Sequence, residues 1–178
     1  MTQSQMPPAT RPLVVLVGPP GSGKTTVGRA LARLTGSSLR DTDADVVAVA
    51  GRPIPDIFFT DGEAAFRDME RAAVATALAE HLGVLALGGG AVLDAQTRAL
   101  LQSHTVVFLS VSMPTGVRRT GLASNRPLLT GVNPRATYKS LLERRLPLYA
   151  EVATIVVRTD DLTVDQVAAT IAEQLDLV

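Results

Sequence analysis

The sequence contains no cysteine and no tryptophan, and aromatic residues make up only 3% of its 178 residues. The lack of cysteine excludes disulfides, thiol catalysis and cysteine-based metal sites. So few aromatic residues argue against a surface that stacks the bases of single-stranded nucleic acid. Lysine plus arginine and aspartate plus glutamate both number 17, so the net charge is zero and no basic field attracts nucleic acid or a membrane surface. Any positive charge that a binding site needs must therefore be local.

The chain also lacks the hydrophobic segments of membrane and exported proteins. No run reaches the roughly 18 consecutive apolar residues of a membrane-spanning helix. Residues 1–11 contain no apolar stretch of the kind found in signal peptides. We therefore expect a cytoplasmic protein that binds no membrane. The length suits one core, with residues 1–10 as a disordered leader and residues 11–178 as a single domain.

One stretch near the N-terminus has the pattern of a phosphate-binding loop (P-loop). An apolar run ends at Gly18, and residues 18–25, GPPGSGKT, match G-x-x-x-x-G-K-[ST]. The glycines allow a tight turn that directs backbone N–H groups into one concavity at a helix N-terminus, where the helix dipole also favours an anion. Lys24 would reach the β- and γ-phosphates of a nucleotide, and the Thr25 hydroxyl would bind Mg²⁺. The alternative is an ordinary Gly-Pro turn before a helix.

The rest of the chain alternates short apolar runs with longer segments of helical periodicity. This alternation predicts a three-layer α/β fold in which helices flank a parallel sheet of five strands. A capping-box pattern from Thr60 to Glu63 predicts the start of a long helix that ends near Glu80. Residues 121–133 lack helical periodicity and contain Gly, Asn and Pro, which predicts a mobile lid between two helices.

Two carboxylates follow the predicted second strand. Asp41 and Asp43 are two residues apart, so in an extended segment both point to the same side. Ligands of open α/β sheets bind beyond the strand C-termini, so we expect one carboxylate to serve Mg²⁺ and its waters and the other a substrate hydroxyl. No carboxylate ends the predicted strands at residues 84–87 and 105–109, where a Walker-B aspartate would stand, which makes Asp41 the candidate partner of the metal. The alternative is that one of the two only caps the next helix.

Arginines supply a second set of candidates. Arg67 lies on the long helix with Glu70 at i+3, and Arg144 and Arg145 are adjacent near the end of a later helix. Each group could be an exposed, solvated pair. A glycine run at residues 88–90 directly follows a strand and allows the backbone to approach a ligand closely, so two arginines could instead clamp a carboxylate.

Other arginines could contact the nucleotide. Arg126 lies in the predicted lid, where it could neutralise charge on the transferred phosphoryl group or be an ordinary solvated loop residue. Arg118 and Arg119 are adjacent on a helix, so only one of them can face a nucleotide base.

Taken together, these separated motifs resemble those of the shikimate kinases, small P-loop kinases of the nucleoside-monophosphate-kinase-like type. The resemblance spans roughly residues 13–157 and covers most of the chain. It rests on the P-loop, the D-T-D at residues 41–43, I-x-D-I-F followed by D-G-E-x-x-F-R, the L-G-G-G-A-V run, R-P-L-L at Arg126 and R-x-P-L-Y at Arg145. One difference is that residues 159–163 contain no proline, whereas some relatives use one there to sandwich adenine.

The resemblance implies a role for each matching residue. Asp43 would contact the reacting hydroxyl of shikimate, Arg67 and Arg145 would bind its carboxylate, and Glu70 would orient Arg67. The implied shikimate site comprises Asp43, Ile54, Phe58, Phe66, Arg67, Glu70, Gly88, Gly89, Gly90 and Arg145. The implied ATP site comprises Gly21, Ser22, Gly23, Lys24, Thr25, Thr26, Arg119 and Arg126, with Arg119 packing on adenine. Mg²⁺ would be held by Thr25 and, through water, by Asp41.

We therefore predict ATP-dependent phosphorylation of the shikimate 3-hydroxyl, giving 3-phosphoshikimate and ADP on the route to chorismate and the aromatic amino acids. Lys24, Asp43 and Arg126 are the predicted catalytic residues, Mg²⁺ is the expected cofactor and ATP the co-substrate. The expected partners are these small molecules alone, and the enzyme is expected to be a monomer. The alternatives are a kinase of another small polyol acid such as gluconate, a nucleoside-monophosphate kinase, and an ATP-binding module without catalytic activity.

Overall fold

The structure is a computed structural model that describes residues 11–121 and 133–178. Its strands are β1 (Val14–Val17), β2 (Leu39–Asp41), β3 (Val84–Ala86), β4 (Val106–Ser110) and β5 (Ile155–Arg158). Its helices are α1 (Lys24–Leu34), α2 (Thr42–Ala50), α3 (Ile54–Glu80), α4 (Ala95–Leu101), α5 (Met113–Thr120), α6 (Pro134–Val152) and α7 (Val164–Gln174), with a short 3₁₀ helix at Ala91–Leu93. The predicted leader, residues 1–10, and most of the predicted lid, including Arg126, lie outside the described residues.

The five strands form one parallel sheet in the order β2-β3-β1-β4-β5. The central strand β1 has the sequence VVLV and is buried along its whole length, as a strand covered on both faces requires. The predicted α/β fold with a five-stranded parallel sheet is therefore confirmed. The C-terminal ends of β1, β2 and β3 carry the P-loop, Asp41 and the glycine run, and parallel pairing brings all three to one edge of the sheet.

Two hydrophobic clusters cover the two faces of the sheet. One packs α1 and α7 against it through residues such as Leu31 and Ile171, both completely buried. The other packs α3, α4 and α6 against the opposite face through Val74, Leu101 and Tyr149. Helices on both faces give the three layers predicted from the alternating pattern.

The predicted long helix that begins at the Thr60 to Glu63 pattern and ends near Glu80 is the second of two helical segments that make up α3, and the sequence did not indicate the first segment. The helix α3 begins at Ile54, with Pro53 as its N-cap, and runs to Glu80 with a kink at Gly62. Gly62 has φ 86° and ψ 171°, a left-handed conformation that glycine adopts at little cost and other residues rarely adopt. The capping-box pattern therefore marks the interruption of a longer helix, and the preceding turns pack Ile57 against Phe66 and Val46 of α2.

Within residues 11–121 and 133–178, none of the helices combines the length and the apolar character that crossing a membrane would demand.

Candidate active site

The P-loop turns directly from β1 into α1. Gly21 and Gly23 have φ values of 81° and 90°, and Gly23 is the N-cap of α1. These left-handed positions let successive peptide groups turn towards the helix N-terminus, where N–H groups and the helix dipole attract an anion. The ammonium group of Lys24 donates to the carbonyls of Gly18, at 2.7 Å, and Pro19, at 3.1 Å. The Lys24 side chain therefore folds back over the P-loop.

Asp41 accepts one hydrogen bond from the P-loop and one from the first turn of α2. Its Oδ2 accepts a hydrogen bond of 2.7 Å from the Thr25 hydroxyl, and its Oδ1 accepts one of 2.9 Å from the backbone N–H of Asp43. The second bond makes Asp41 the N-cap of α2. Asp41 can thus cap α2 and contact the P-loop threonine at the same time. Hydroxyl and carboxylate oxygens are the donors that Mg²⁺ prefers, so Thr25 and Asp41 fit a magnesium site.

The first residue of the glycine run, Gly88, lies close to the carboxylates of Glu70 and Asp43. A Cβ atom at Gly88 would be 2.5 Å from Glu70 Oε1 and 2.6 Å from Asp43 Oδ1, so these two oxygens are no more than about 5 Å apart. The N–H of Gly88 donates to the Thr42 hydroxyl at 3.2 Å, which fixes the run to the start of α2. At Gly90 a Cβ would overlap the Arg67 guanidinium. Only glycine leaves room for these charged groups to approach the end of β3.

Arg67, Glu70 and Arg145 form a largely buried charged cluster. Arg67 Nη1 donates to Glu70 Oε2 at 2.7 Å, and Glu70 and Arg145 are only 3% and 5% exposed. Burial raises the pKa of Glu70, against the opposing effect of the Arg67 guanidinium. Burial also lowers the pKa of Arg145, and the nearby charge of Arg67 adds to that shift. Both ion pairs at this cluster belong to Arg67, and none of the ion pairs among the described residues includes Arg145, so an anionic ligand could pair with the Arg145 guanidinium.

The exposed-pair interpretation is wrong for these arginines. Arg67 has 19% side-chain exposure and a second, weaker contact with Glu63 at 3.3 Å. Arg144 is exposed, whereas its neighbour Arg145 is buried and lies at the glycine run, with Nη1 3.5 Å from the position of a Cβ at Gly89. Adjacent residues of one helix face different directions, so the pair divides into one solvated arginine and one that is part of the cluster.

A cavity of about 760 Å³ joins the P-loop to the end of β3. The predicted site residues that line this cavity are Gly21, Gly23, Lys24, Thr25, Thr26, Asp41, Asp43, Ile54, Gly89 and Arg119. The Ser22 side chain is buried outside it, and the arginine and glutamate cluster adjoins it at Gly89. The rings of Phe58 and Phe66 pack together with centroids 4.7 Å apart, and Arg67 lies 5.2 Å from the Phe66 ring. Phe58, Phe66, Arg67, Glu70 and Arg145 are not among the residues that line this cavity.

Arg119 is the member of its pair that contacts the P-loop. It donates to the Gly21 carbonyl at 3.1 Å and to the Thr159 hydroxyl and carbonyl at 3.1 and 3.2 Å. It lies at the last turn of α5, whose first residues are held by Asp160, which accepts hydrogen bonds from Ser112. These hydrogen bonds hold the pKa of Asp160 down at about 2, despite the opposing effect of its burial.

The sequence did not indicate several residues at the site, among them Arg52, Tyr138 and Tyr149. Arg52 lines the cavity and forms an ion pair with Asp61, just before the kink of α3. Tyr138 and Tyr149 of α6 are buried, and each donates its hydroxyl to a carbonyl of a glycine-containing loop. Two signals could have indicated the tyrosines: Tyr149 is the last residue of the R-x-P-L-Y motif, and the spacing places both tyrosines on one face of a helix.

Comparison with known proteins gives concordant matches. The family model described as shikimate kinase matches residues 20–176. A shikimate kinase of Saccharopolyspora erythraea is 61% identical over 164 residues, covering 92% of this chain and 94% of that protein. A shikimate kinase of Salinispora arenicola is 62% identical over 164 residues, covering 92% and 98%.

Solved structures agree with the sequence matches. A shikimate kinase from Acinetobacter baumannii in complex with shikimate superposes with a TM-score of 0.89 and 37% identity, covering 93% of this chain and 92% of that one. The shikimate kinase of Aquifex aeolicus gives a TM-score of 0.80 and 30% identity, covering 92% and 95%. This chain therefore belongs to the shikimate kinase family.

Proposed function

We propose that this protein transfers the γ-phosphoryl group of ATP to the 3-hydroxyl of shikimate, giving 3-phosphoshikimate and ADP on the route to chorismate. The observation that carries the proposal is the buried cluster of Arg67, Glu70 and Arg145 beside Asp43. The buried Arg145 guanidinium, which is part of none of the ion pairs among the described residues, suits the carboxylate of shikimate, and the nearby Asp43 carboxylate suits a ring hydroxyl. The P-loop at the same sheet edge supplies the site for ATP.

In this proposal the residues divide into a donor half and an acceptor half. Gly21, Gly23 and Thr26 hold the phosphates, and Lys24 exchanges its carbonyl contacts for phosphate oxygens. On the acceptor side, Arg67 and Arg145 bind the carboxylate while Ile54, Phe58 and Phe66 contact the ring. The backbone of Gly88, Gly89 and Gly90 allows the substrate to lie close to the end of β3.

Phosphoryl transfer itself needs positioning and charge neutralisation more than covalent chemistry. Asp43 positions the substrate hydroxyl and accepts its proton as the oxygen attacks the γ-phosphorus. The bond between that phosphorus and the bridging oxygen breaks, and ADP leaves. Lys24 and Arg126 neutralise the charge that spreads over the transferred oxygens, and Arg119 contacts adenine. Bound Mg²⁺, held by Thr25 and through water by Asp41, would add charge neutralisation at the phosphates.

The same proposal gives the protein small-molecule partners only, a cytoplasmic location and a monomeric state, with residues 11–178 as one domain.

An assay with four acceptors tests the function directly. Purified protein is given ATP with shikimate, gluconate, quinate or AMP, and the release of ADP is measured by a coupled reaction. We expect rapid turnover with shikimate and little with the others, because the other molecules do not match both the carboxylate clamp and the hydroxyl position. Faster turnover with gluconate or AMP would assign the protein to another kinase activity. Binding of ATP with no turnover of any acceptor would indicate an ATP-binding protein without catalytic activity.

Replacing Asp41 by asparagine tests the magnesium site. Asparagine also caps helices well, so the N-terminus of α2 keeps its acceptor while the charge is lost. We expect the Mg²⁺ concentration for half-maximal activity to rise severalfold with little change in melting temperature. Asp45→Asn is the matched control, because Asp45 lies in the same helical turn but pairs with Arg40 at 2.7 Å. An unaltered Mg²⁺ titration of Asp41→Asn would remove Asp41 from the metal site.

A further inference from the structure

The chain has only two tyrosines, and both lie on one face of α6. Tyr138 and Tyr149 are eleven residues apart, which is about three helical turns, so their side chains leave the helix in nearly the same direction. They are 1% and 0% exposed. A rise of about 1.5 Å per residue separates them by roughly 16 Å along the axis. This separation lets one helix contact both halves of the proposed active site.

Tyr138 reaches the P-loop. Its hydroxyl donates to the carbonyl of Pro20 at 2.8 Å. The ring passes over Gly116 of α5, where any Cβ would overlap it. The peptide bond between Pro20 and Gly21 is planar and trans, so fixing the carbonyl on one side fixes the N–H of Gly21 on the opposite side. Tyr138 therefore controls the direction of a backbone donor in the predicted phosphate site.

Tyr149 makes the equivalent contact in the acceptor half. Its hydroxyl donates to the carbonyl of Gly89. The Arg145 guanidinium lies near this hydroxyl and interacts with it electrostatically. The ring stacks on Phe108 of β4 with centroids 5.0 Å apart. One hydroxyl thus links the buried arginine of the clamp to the backbone of the glycine run.

We propose that Tyr138 and Tyr149 are positioning residues, Tyr138 for the phosphates of ATP and Tyr149 for the carboxylate of the acceptor. The identity of that acceptor as shikimate rests on the function proposed above. Neither tyrosine reacts; each acts through the loop whose carbonyl it holds. One helix therefore contacts both half-sites, with Pro147 in its interior between the two tyrosines.

The protonation state of Tyr149 supports this role. Burial raises the pKa of Tyr149 to about 12, against the opposing effect of Arg145. The hydroxyl consequently keeps its proton throughout the physiological pH range and remains a donor to Gly89.

The test is a pair of single-atom deletions, Tyr138→Phe and Tyr149→Phe, with each serving as the matched control of the other. Phenylalanine keeps the ring and its packing, so both proteins should fold and melt close to the wild-type temperature. Loss of one such hydrogen bond is expected to weaken the affected ligand roughly threefold to tenfold. Tyr138→Phe should raise KM for ATP and weaken ADP binding measured by calorimetry, with KM for shikimate unchanged. Tyr149→Phe should raise KM for shikimate and leave ADP binding unchanged.

Other outcomes are equally informative. Both KM values unchanged, or both raised together in each variant, would overturn the proposal. Gly116→Ala provides a second variant for the donor half, since it displaces the Tyr138 ring, and it should also weaken ADP binding. For the acceptor half, the effect of Tyr149→Phe should shrink in an Arg145→Met background if Tyr149 acts through Arg145. A wild-type protein that does not phosphorylate shikimate would contradict the proposed function instead, and ADP binding would still test Tyr138.

Discussion

Replacing Asp43 by asparagine is expected to lower kcat at least about 100-fold while leaving the affinity for nucleotide unchanged. Asparagine has nearly the same shape as aspartate but cannot accept a proton from the attacking hydroxyl. Asp43 Oδ1 lies beside Gly88, between the cavity and the charged cluster, and this position is consistent with the proposed contact with the substrate hydroxyl. In the proposed function the phosphates are held by the P-loop and Asp43 contacts only the acceptor, so ADP should bind as in the wild type.

The measurement combines steady-state kinetics with calorimetric binding of ADP. Asp45→Asn again provides a control, because it removes an equal charge from the same helix outside the predicted site. A normal melting temperature of Asp43→Asn would exclude unfolding as the cause of lost activity. Turnover close to the wild-type rate would remove Asp43 from the mechanism.

The local parts of the site could be predicted because strand, turn and helix follow each other in the sequence. The P-loop pattern predicts a tight turn, and Gly21 and Gly23 form it with left-handed φ values of 81° and 90°. Asp41 follows β2 directly, so its place at the sheet edge follows from the parallel fold. The Thr60 to Glu63 pattern is also local, and it marks where the second helical segment of α3 begins, after the break at Gly62. The first segment, from Ile54 to that break, could not be predicted because it is stabilised by packing of Ile57 against Phe66 and Val46.

The clamp could not be derived from periodicity or spacing alone. Arg67 and Arg145 are 78 positions apart in the numbering, and each could equally have been an exposed member of a charge pair. Burial of the cluster depends on how α3 and α6 pack on the same face of the sheet, which is a property of the whole fold. The partners of the tyrosines are backbone carbonyls far along the chain, and a backbone acceptor leaves no trace in side-chain patterns.

Replacing Arg145 by methionine is expected to raise KM for shikimate by about 100-fold. The estimate corresponds to the loss of about 2–3 kcal/mol from charge-assisted hydrogen bonds to a carboxylate. Arg144→Met is the matched control, since Arg144 is exposed on the same helix, and its KM should stay at the wild-type value. Kinetics with shikimate as the varied substrate distinguish the two.

The Arg145→Met substitution should not lower the thermal stability of the protein, although it weakens the binding of shikimate. Burial makes the charged form of Arg145 unfavourable in the free protein, which is the reason that its pKa is lowered. Methionine fills a similar volume without a charge, and Glu70 keeps its ion pair with Arg67 at 2.7 Å. The melting temperature of Arg145→Met should therefore equal or exceed that of the wild type. A large fall in melting temperature with an unchanged KM would assign Arg145 to the core of the fold. A raised KM for shikimate together with an unchanged or higher melting temperature would instead show that the buried charge of Arg145 serves to bind the substrate and does not stabilise the fold.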